Sequence, residues 1–203
     1  MKVCITGGIA SGKSLLSHYL NDLGVVTVDA DDIVHELIPQ EERERLRSIV
    51  FKNPEARKEL EARIHPLVRR KILSAIEGVR SQESGFRSQE SVLTNNSSSP
   101  FPVPPSPFPL PPIAVIPLLF EVQWEKDYDI IICILSSREK QIERMTSLRG
   151  YTREDAEARL AAQMDPAIKA AKSDYVILND STDEDLKAEA RKLVDYLVSR
   201  SQA

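Results

Sequence analysis

The alternation of apolar and polar positions predicts that the 203-residue chain begins with a strand, a glycine-rich loop and a helix. Residues 1–6 form a short run rich in β-forming side chains. Residues 14–23 place apolar side chains three and four positions apart, which is the spacing of an amphipathic helix. A second buried-type strand, 25–28, follows Gly24. The chain therefore starts with a βαβ unit whose two strands run parallel.

The same patterns continue along the rest of the chain. Residues 33–38 have helical character, and the Glu-, Arg- and Leu-rich stretch 40–78 has room for two or three helices, with a start signal at Asn53-Pro54. Three further strands are predicted at 113–119, 128–135 and 175–178, and three further helices at 138–147, 153–164 and 184–198. Five strands alternating with helices predict an α/β fold on a five-stranded, parallel, doubly wound sheet.

The composition changes abruptly between residues 79 and 112. The pentapeptide Arg80–Ser84 recurs as Arg87–Ser91, and half of residues 97–112 are prolines. Such a segment cannot build a packed core, so we predict a low-complexity insertion, 79–112, within a single domain that spans 1–203. Its proline-rich part, 100–112, has the composition of an SH3 or WW ligand, although a plain linker is the favoured interpretation.

The net charge and the cysteine content indicate which partners and which cellular compartment to expect. A formal net charge of -4 and a sequence pI near 5.5 argue against a protein that binds nucleic acid or an anionic membrane. Cys4 and Cys133 each lie inside an apolar run, which is typical of buried thiols in a reducing compartment. No leader and no apolar run near the length of a membrane span is evident. We expect a cytoplasmic protein whose partners are small molecules.

The strongest chemical signal is the sequence GGIASGKS at residues 7–14, which matches the P-loop (Walker A) pattern and stands between a predicted strand and a predicted helix. Glycines let backbone N–H groups turn around a polyphosphate, and the helix N-terminus adds its positive dipole end. Lys13 is predicted to reach the outer phosphates as a catalytic residue, and the Ser14 hydroxyl to ligate Mg²⁺. The predicted ATP-binding residues of this stretch are Gly8, Ile9, Ala10, Ser11, Gly12, Lys13, Ser14 and Leu15.

Carboxylates follow the second predicted strand. Asp29, Asp31 and Asp32 stand at the end where a doubly wound sheet binds its ligands. A carboxylate there can accept the proton of an attacking hydroxyl, or help to hold magnesium. An aspartate at such a junction also caps helices for local reasons, so we expect one of the three to be a cap. We favour Asp31 as the catalytic residue and leave Asp29 as the alternative.

A cationic group lies on the two helices predicted on either side of Gly150. It consists of Arg144, Arg149, Arg153 and Arg159. A kinase of small molecules must exclude water from the transferring phosphoryl group and neutralise its charge, and a hinged pair of arginine-bearing helices does both. We therefore predict a lid region at 138–164, although any one of these arginines has a comparable chance of being an ordinary surface residue.

Taken together, these residues resemble dephospho-coenzyme A kinase, a P-loop kinase family. The stretches that carry the resemblance are TGGI at 6–9, VDAD at 28–31, LEARIHP at 60–66, PLLFE at 117–121, Gln141 with Arg144 and Arg149-Gly150, Ala156, Arg159 and Gln163, and SDYVI at 173–177 with Asn179. They cover most of the chain outside 79–112. The resemblance implies a P-loop NTPase fold and phosphorylation of the ribose 3′-hydroxyl of dephospho-CoA by ATP and Mg²⁺.

The resemblance also implies residue roles. Asp31 would be the base on the 3′-hydroxyl, with Asp29, His65 and Arg69 at the acceptor site. Arg144, Arg149 and Arg159 would belong to the lid over the phosphates, and Asn179 would lie close to the adenine. The alternatives are another small-molecule kinase of the same plan, such as a nucleoside monophosphate or shikimate-type kinase, and an ATP-binding protein without turnover that uses its proline-rich arm for interactions.

The chain departs from the family's pattern in two places. The acceptor-binding helical region, 33–78, is shorter than in relatives, and the insertion 79–112 precedes the PLLFE stretch. Ser, Pro, Phe and Leu, which have pyrimidine-rich codons, make up 15 of the 16 residues from 97 to 112. One hypothesis for both departures is a gene model with a translated intron tract and a skipped exon, which sequencing of the transcript would test.

Overall fold

A computed structural model describes residues 1–43, 46, 53–84 and 110–202, and its central feature is a parallel sheet. The strands are β1 (Val3–Gly7), β2 (Thr27–Asp29), β3 (Ile113–Val115), β4 (Ile130–Leu135) and β5 (Tyr175–Leu178). Their order in the sheet is β2-β3-β1-β4-β5. Every residue of β1 is buried, as expected for a central strand covered on both faces. The predicted five-stranded parallel sheet is therefore confirmed.

Helices cover both faces of this sheet. They are α1 (Lys13–Asp22), α2 (Ala30–Leu37), α3 (Pro54–Ser84), α4 (Arg138–Arg149), α5 (Arg153–Ala161), α6 (Pro166–Ala171) and α7 (Asp183–Ser201). On one face, α1 and α7 contribute Leu16 and Leu193 to a core of buried residues. On the other face, α2 and α3 contribute Ile33 and Ile72. Among the described residues, no helix is long and apolar enough to span a membrane.

The strand predicted at 113–119 is wrong in its second half. β3 ends at Val115, and residues 117–123 form turns that bury Leu119 and Phe120 below the sheet edge. Pro117 has no N–H to donate to a neighbouring strand, so the apolar run leaves the sheet there. Turns can bury apolar side chains as well as a strand does, and hydrophobicity alone did not distinguish the two.

In the described part of the stretch 40–78, residues 40–43 and 46 are helical and one long helix follows, in agreement with the two or three helices predicted. The 31-residue α3 begins at Pro54, and the Asn53 side chain accepts hydrogen bonds from the backbone N–H groups of Glu55 (3.0 Å) and Ala56 (3.2 Å). The start signal at Asn53-Pro54 is thus confirmed. Pro66 lies inside the helix without ending it, because burial of Val68, Ile72 and other residues of the same face outweighs the lost backbone bond.

The predicted bounds of the insertion, 79–112, also need correction. Helix α3 continues through Val79 to Ser84, and Leu110 and Pro112 are buried beside β3, with Leu110 in the core. The helix extends to Ser84 because Arg, Ser, Gln and Glu are compatible with the last turns of a helix, and because the packing of the earlier turns stabilises the helix as a whole. Residues 85–109 lie outside the described part of the chain, and so does most of the proposed SH3 or WW ligand, 100–112.

The prediction of helices also missed α6. This short helix begins after Asp165, whose side chain accepts a hydrogen bond from the backbone N–H of Ala167 (2.7 Å), and Pro166 stands at its first turn. An Asp-Pro pair is a start signal for a helix, so the local sequence did contain the information. Its six residues are too few to show an apolar period.

Candidate active site

The P-loop connects the last residue of β1 to the first residue of α1, as the motif predicted. Gly12, just before the helix, has a φ of 103°, a left-handed conformation that glycine adopts without strain. A Cβ atom at this position would lie 2.0 Å from the Asn179 Nδ2 atom. Glycine is therefore required here twice, by the backbone turn and by the close approach of Asn179. The N-terminus of α1 opens directly into the loop, which suits an anion.

Lys13 lies across the loop with its ammonium bonded to the loop's own backbone. Its Nζ donates to the carbonyl oxygens of Gly7 (3.0 Å) and Gly8 (2.7 Å). Burial, and to a lesser extent the positive charge of Lys169, lower the Lys13 pKa to about 8, against the opposing effect of Asp31 and Asp29. Two carboxylates and a second cation thus lie within electrostatic range of the lysine that we predicted to contact the phosphates.

Side chains from other elements hold the backbone of the P-loop from outside. The amide of Ile9 donates to Gln163 Oε1 (2.8 Å), and the carbonyl of Ile9 accepts from Gln141 Nε2 (2.8 Å). Asn179 Nδ2 donates to the carbonyl of Ser11 (2.8 Å). Sequence reasoning noted Gln141 and Gln163 only as part of the family resemblance and gave them no role. Their contacts join residues that are more than a hundred positions apart, which no local pattern reveals.

The predicted lid arginines have different surroundings. Arg144 donates to the carbonyl of Ala10 (3.2 Å), to Ser136 Oγ (2.7 Å) and to the carbonyl of Asn179 (2.9 Å), so its guanidinium joins the P-loop to the ends of β4 and β5. Arg149 is exposed at the end of α4, and its charge lowers the Lys13 pKa, which puts it near the loop.

Arg159 belongs to a separate part of the lid region. Its guanidinium lies over the ring of Tyr151 at 4.5 Å from the centroid, an arrangement that a cation–π attraction stabilises. Tyr151 in turn packs with Ile9 and Ala10 of the P-loop around buried Met145. Arg159 is itself exposed, and the ring it contacts packs on the same small core as Ile9 and Ala10 of the P-loop.

The two candidate carboxylates at the end of β2 differ in what they bind. Asp29 is the N-cap of α2, and its Oδ1 accepts a hydrogen bond from the backbone N–H of Asp31 (2.8 Å). Burial raises the Asp29 pKa. Asp31 stands exposed in the first turn of α2. The expectation that one aspartate would cap the helix is thus confirmed, with Asp29 as the cap.

The sequence analysis did not predict an ion pair between buried Lys169 and partly exposed Glu121. Lys169 on α6 is fully buried, and its Nζ contacts Glu121 Oε1 at 2.7 Å and the carbonyl of Pro117 at 3.1 Å. Glu121 Oε1 also accepts from the backbone N–H of Met164 (3.2 Å). Glu121 belongs to the PLLFE stretch, but nothing in the local sequence indicates a partner on a helix that was not predicted.

His65 and Arg69, the predicted acceptor residues, lie one turn apart on α3 and contact the segment 116–128. Arg69 makes a paired contact with Asp127, Nε to Oδ2 at 2.6 Å and Nη2 to Oδ1 at 2.5 Å. The His65 ring meets the Trp124 ring nearly at right angles, with centroids 5.8 Å apart. These contacts dock α3 on the segment that follows β3.

The donors at this edge fit a magnesium ion held chiefly by phosphates. The Ser14 side chain is exposed in the first turn of α1, and the nearby carboxylates supply the oxygen atoms that Mg²⁺ prefers. Among the described residues, no group of three or more His, Cys, Asp or Glu side chains could enclose a metal ion. The protein alone therefore offers few ligands, as is usual for Mg²⁺ that accompanies a nucleotide.

Comparison with known proteins identifies close similarity to one family. The family model described as dephospho-CoA kinase matches residues 1–43 and 111–185, leaving out the region that holds both departures noted above. The chain is 30% identical to dephospho-CoA kinase of Geobacillus kaustophilus, covering 92% of each protein. It is 30% identical to the Streptomyces avermitilis enzyme of the same name, covering 99% of this chain and 96% of that protein.

Solved structures agree with this similarity. Dephospho-CoA kinase from Campylobacter jejuni matches with a TM-score of 0.65 and 26% identity over 99% of this chain and 100% of that chain. Shikimate kinase from Acinetobacter baumannii, in complex with shikimate, matches with a TM-score of 0.55 and 13% identity over 98% of this chain and 93% of that chain. The second likeness shows a shared P-loop kinase fold and no more.

Proposed function

Because the chain belongs to the dephospho-CoA kinase family and is an ATP-dependent kinase, we propose that its P-loop site transfers the γ-phosphoryl group of ATP to the ribose 3′-hydroxyl of dephospho-CoA. The observation that carries this proposal is that the Lys13 ammonium lies in the P-loop, bonded to the carbonyls of Gly7 and Gly8, where the charges of Asp31 and Asp29 act on it. A phosphate-binding lysine and a possible base, brought within electrostatic range, are the main parts that phosphoryl transfer requires.

Asp31 is the base in this proposal. Asp29 already serves the backbone as the cap of α2, whereas Asp31 is exposed and can meet an incoming hydroxyl. The negative charge of Asp31 also acts on Lys13, which supports a position near the γ-phosphate. The acceptor hydroxyl would give its proton to Asp31 as its oxygen attacks phosphorus, and ADP would leave.

Lys13 neutralises charge on the phosphates in this scheme. Its ammonium now bonds to carbonyls of the loop, and it would exchange them for phosphate oxygens when ATP binds. Ser14 is the proposed protein ligand of Mg²⁺, which supplies further neutralisation of the phosphates when bound. The backbone amides of residues 8–15, apart from those of Ile9 and Ser11, which already donate to Gln163 and to Gly8, would enclose the phosphates.

The lid and the acceptor site complete the proposal. Arg149, exposed near Lys13, is the best placed of the arginines to add charge over the phosphates, while Arg144 and Arg159 support the loop's outer side. Asn179, bonded to Ser11, would border the adenine. His65 and Arg69 are proposed to border dephospho-CoA, by extension of the family resemblance. We expect the protein to work in the cytoplasm with ATP and dephospho-CoA as its small-molecule partners.

The experiment that tests this function is release of ADP by the purified full-length protein with Mg-ATP, with and without dephospho-CoA. Adenosine monophosphate and shikimate are the control acceptors, because the shared fold also occurs in shikimate kinase. We expect stimulation by dephospho-CoA alone, with a new phosphate on the 3′-hydroxyl detected by mass spectrometry. ATP binding without stimulation of ADP release by any acceptor would contradict the proposal for this chain. Stimulation by shikimate would instead indicate that shikimate is the acceptor.

A further inference from the structure

We propose that the ion pair between buried Lys169 and partly exposed Glu121 positions the P-loop for ATP, Glu121 acting through Gln163 and Lys169 through the carbonyl of Pro117. The pair lies outside the predicted set of site residues, on the turn after β3 and on α6. The proposal rests on the proposed function, since it takes the P-loop to be the ATP site. It adds a positioning role for two residues that do not themselves contact the nucleotide.

The first connection runs from Glu121 to the amide of Ile9. Glu121 Oε1 accepts a hydrogen bond from the backbone N–H of Met164 at 3.2 Å, which holds the connection between α5 and α6 against the turn after β3. The residue before Met164 is Gln163, whose Oε1 accepts from the amide of Ile9 at 2.8 Å. Fixing the backbone at Met164 thus fixes where the Gln163 side chain begins, one residue away.

The second connection runs from Lys169 to the strand before the loop. Lys169 Nζ donates to the carbonyl of Pro117 at 3.1 Å, and the same oxygen accepts from Thr6 Oγ1 at 3.4 Å. Thr6 is fully buried in β1, directly before the P-loop residues Gly7 and Gly8. The pair therefore reaches the loop on two sides, at Thr6 and at Ile9.

The ion pair itself is suited to a fixed geometry. Lys169 has no exposed surface, so its ammonium must stay with the oxygen atoms of Glu121 and Pro117, since moving it away would leave a buried charge without a partner. Exposed ion pairs of this chain, such as Lys192 with Glu189, lack that constraint because water can replace either partner. Because its lysine is fully buried, the Glu121–Lys169 pair is a more rigid link between α6 and the turn after β3 than an exposed pair would be.

The test measures binding of a non-hydrolysable ATP analogue with Mg²⁺ to the full-length protein by calorimetry, without any acceptor. The variants are Glu121→Gln, Gln163→Ala and the two together, with Glu189→Gln as the matched control that neutralises an exposed pair. We expect Gln163→Ala, which loses one positioning hydrogen bond, to weaken binding about 3- to 10-fold at unchanged stoichiometry. Glu121→Gln keeps an acceptor for Met164 but loses the charge that holds Lys169, and we expect it to weaken binding by a similar factor. The control should bind as the unaltered protein does.

The combined variant distinguishes positioning from a general loss of structure. If Glu121 acts through Gln163, the combined variant should have about the same affinity for the analogue as the single variant with the lower affinity, because the two changes break one chain of contacts. Additive losses, or unchanged affinity in Glu121→Gln, would overturn the proposal. A fall in stoichiometry without a change in affinity would also overturn it, because that result reports unfolded molecules rather than a displaced loop.

A second variant covers the case in which Glu121→Gln does not fold because Lys169 is left with a buried, unpaired charge. In Glu121→Gln combined with Lys169→Met, both charges are removed, and the contact to Pro117 is lost with them. We expect this protein to fold and to bind the analogue several-fold more weakly, and binding at the unaltered affinity would refute the positioning role. If the unaltered protein itself did not bind the analogue, the proposed function would fail first, which separates the two conclusions.

Discussion

Around the P-loop, side chains bond to backbone atoms, whereas on the side proposed for the acceptor the helices are joined by ion pairs between partly exposed side chains. The proposed nucleotide side comprises residues 7–14 with Gln141, Arg144, Gln163 and Asn179, whose bonds to loop carbonyls and amides measure 2.8 to 3.2 Å. The proposed acceptor side comprises α2, α3 and the segment 116–128. Its ion pairs are Arg69 with Asp127 and Lys71 with Glu36.

The difference has a physical consequence for each side. A bond to the backbone fixes the path of the chain, and the backbone amides of a P-loop are the groups that bind phosphate. Exposed ion pairs contribute little to stability, because water and salt compete for both partners. We therefore expect changes on the nucleotide side to cause large losses of ATP binding and turnover, and changes on the acceptor side to act mainly on the second substrate.

The largest expected effect is that of Lys13→Ala on the nucleotide side. Removing the ammonium should slow ADP release in the presence of dephospho-CoA by about 10³- to 10⁵-fold, as loss of a cation at the transferring phosphoryl group does in other kinases. Initial rates at saturating substrates measure it, with Lys192→Ala on the exposed face of α7 as the control. A loss smaller than about tenfold would mean that Lys13 does not meet the phosphates.

Matched substitutions of Asp31 and Asp29 test which of the two aspartates is the general base. Asp31→Asn should slow turnover by about 10²- to 10⁴-fold while leaving ATP binding intact, because it removes the general base without a change of shape. Asp29→Asn should have a much smaller effect on the rate, since asparagine also caps a helix well. Single-turnover rates and ATP affinities of both variants decide the roles. The reverse ranking would make Asp29 the base.

The backbone of the loop is tested by Gly12→Ala, with Gly150→Ala as its control. Both glycines have positive φ, 103° and 66°, but a Cβ at Gly12 meets Asn179 whereas one at Gly150 meets nothing within 4 Å. Gly12→Ala should weaken ATP binding by about ten- to a hundredfold, from strain of about 1–3 kcal/mol and displacement of Asn179. Gly150→Ala should lower the free energy of unfolding but leave ATP binding unchanged. Equal effects on ATP binding would show that positive φ alone matters.

The charge of Lys13 predicts how ATP binding depends on pH. Its pKa of about 8 lies below the usual 10.5, so in the free protein the ammonium is lost as the pH rises past 8. ATP affinity should fall by up to about 10-fold between pH 7 and pH 9, with uptake of protons on binding at the higher pH. Calorimetry in two buffers of different ionisation enthalpy measures the uptake, and absence of uptake at pH 9 would contradict the lowered pKa.

The lowered pKa of Lys13 affects folding in the opposite direction to ATP binding: the free energy of unfolding should increase with pH where ATP affinity falls. Between pH 8 and pH 10.5 the unfolded chain binds more protons at Lys13 than the folded protein does, so this lysine's contribution to the free energy of unfolding increases with pH in that window. Thermal unfolding of the unaltered protein and of Lys13→Ala over this range isolates the contribution. An identical pH dependence of the two proteins would contradict it.

The smallest expected effect is that of Arg69→Ala, on the proposed acceptor side. Arg69→Ala breaks the paired contact with Asp127 and should raise the KM for dephospho-CoA a few-fold, while the KM for ATP stays unchanged. Arg70→Ala, on the neighbouring exposed position of α3, is the control and should change neither constant. A matching rise in the KM for ATP would show that α3 supports both sides and would weaken the contrast between them.

The sequence predicted much of the fold because its signals were local. Short apolar runs identified the five strands, and the Asn53-Pro54 pair identified the start of α3. One error arose at Pro117, whose missing N–H ends the strand although the apolar run continues. At Pro66, by contrast, tertiary packing overrode the local pattern, and the long helix accommodates the proline. α6 was missed because so short a helix has no measurable period.

For the site, the sequence by itself determined the P-loop, since the residues that surround a phosphate are consecutive and their glycines are required by the backbone turn itself. It also limited the second group to the aspartates after β2. Only the tertiary structure decided that Asp29 caps α2, that Gln141 and Gln163 hold Ile9, and that Glu121 pairs with Lys169. Apart from the local Asp29 cap, these contacts join positions far apart in the chain, and the pairing of the parallel strands brings them together at the carboxyl ends of the strands.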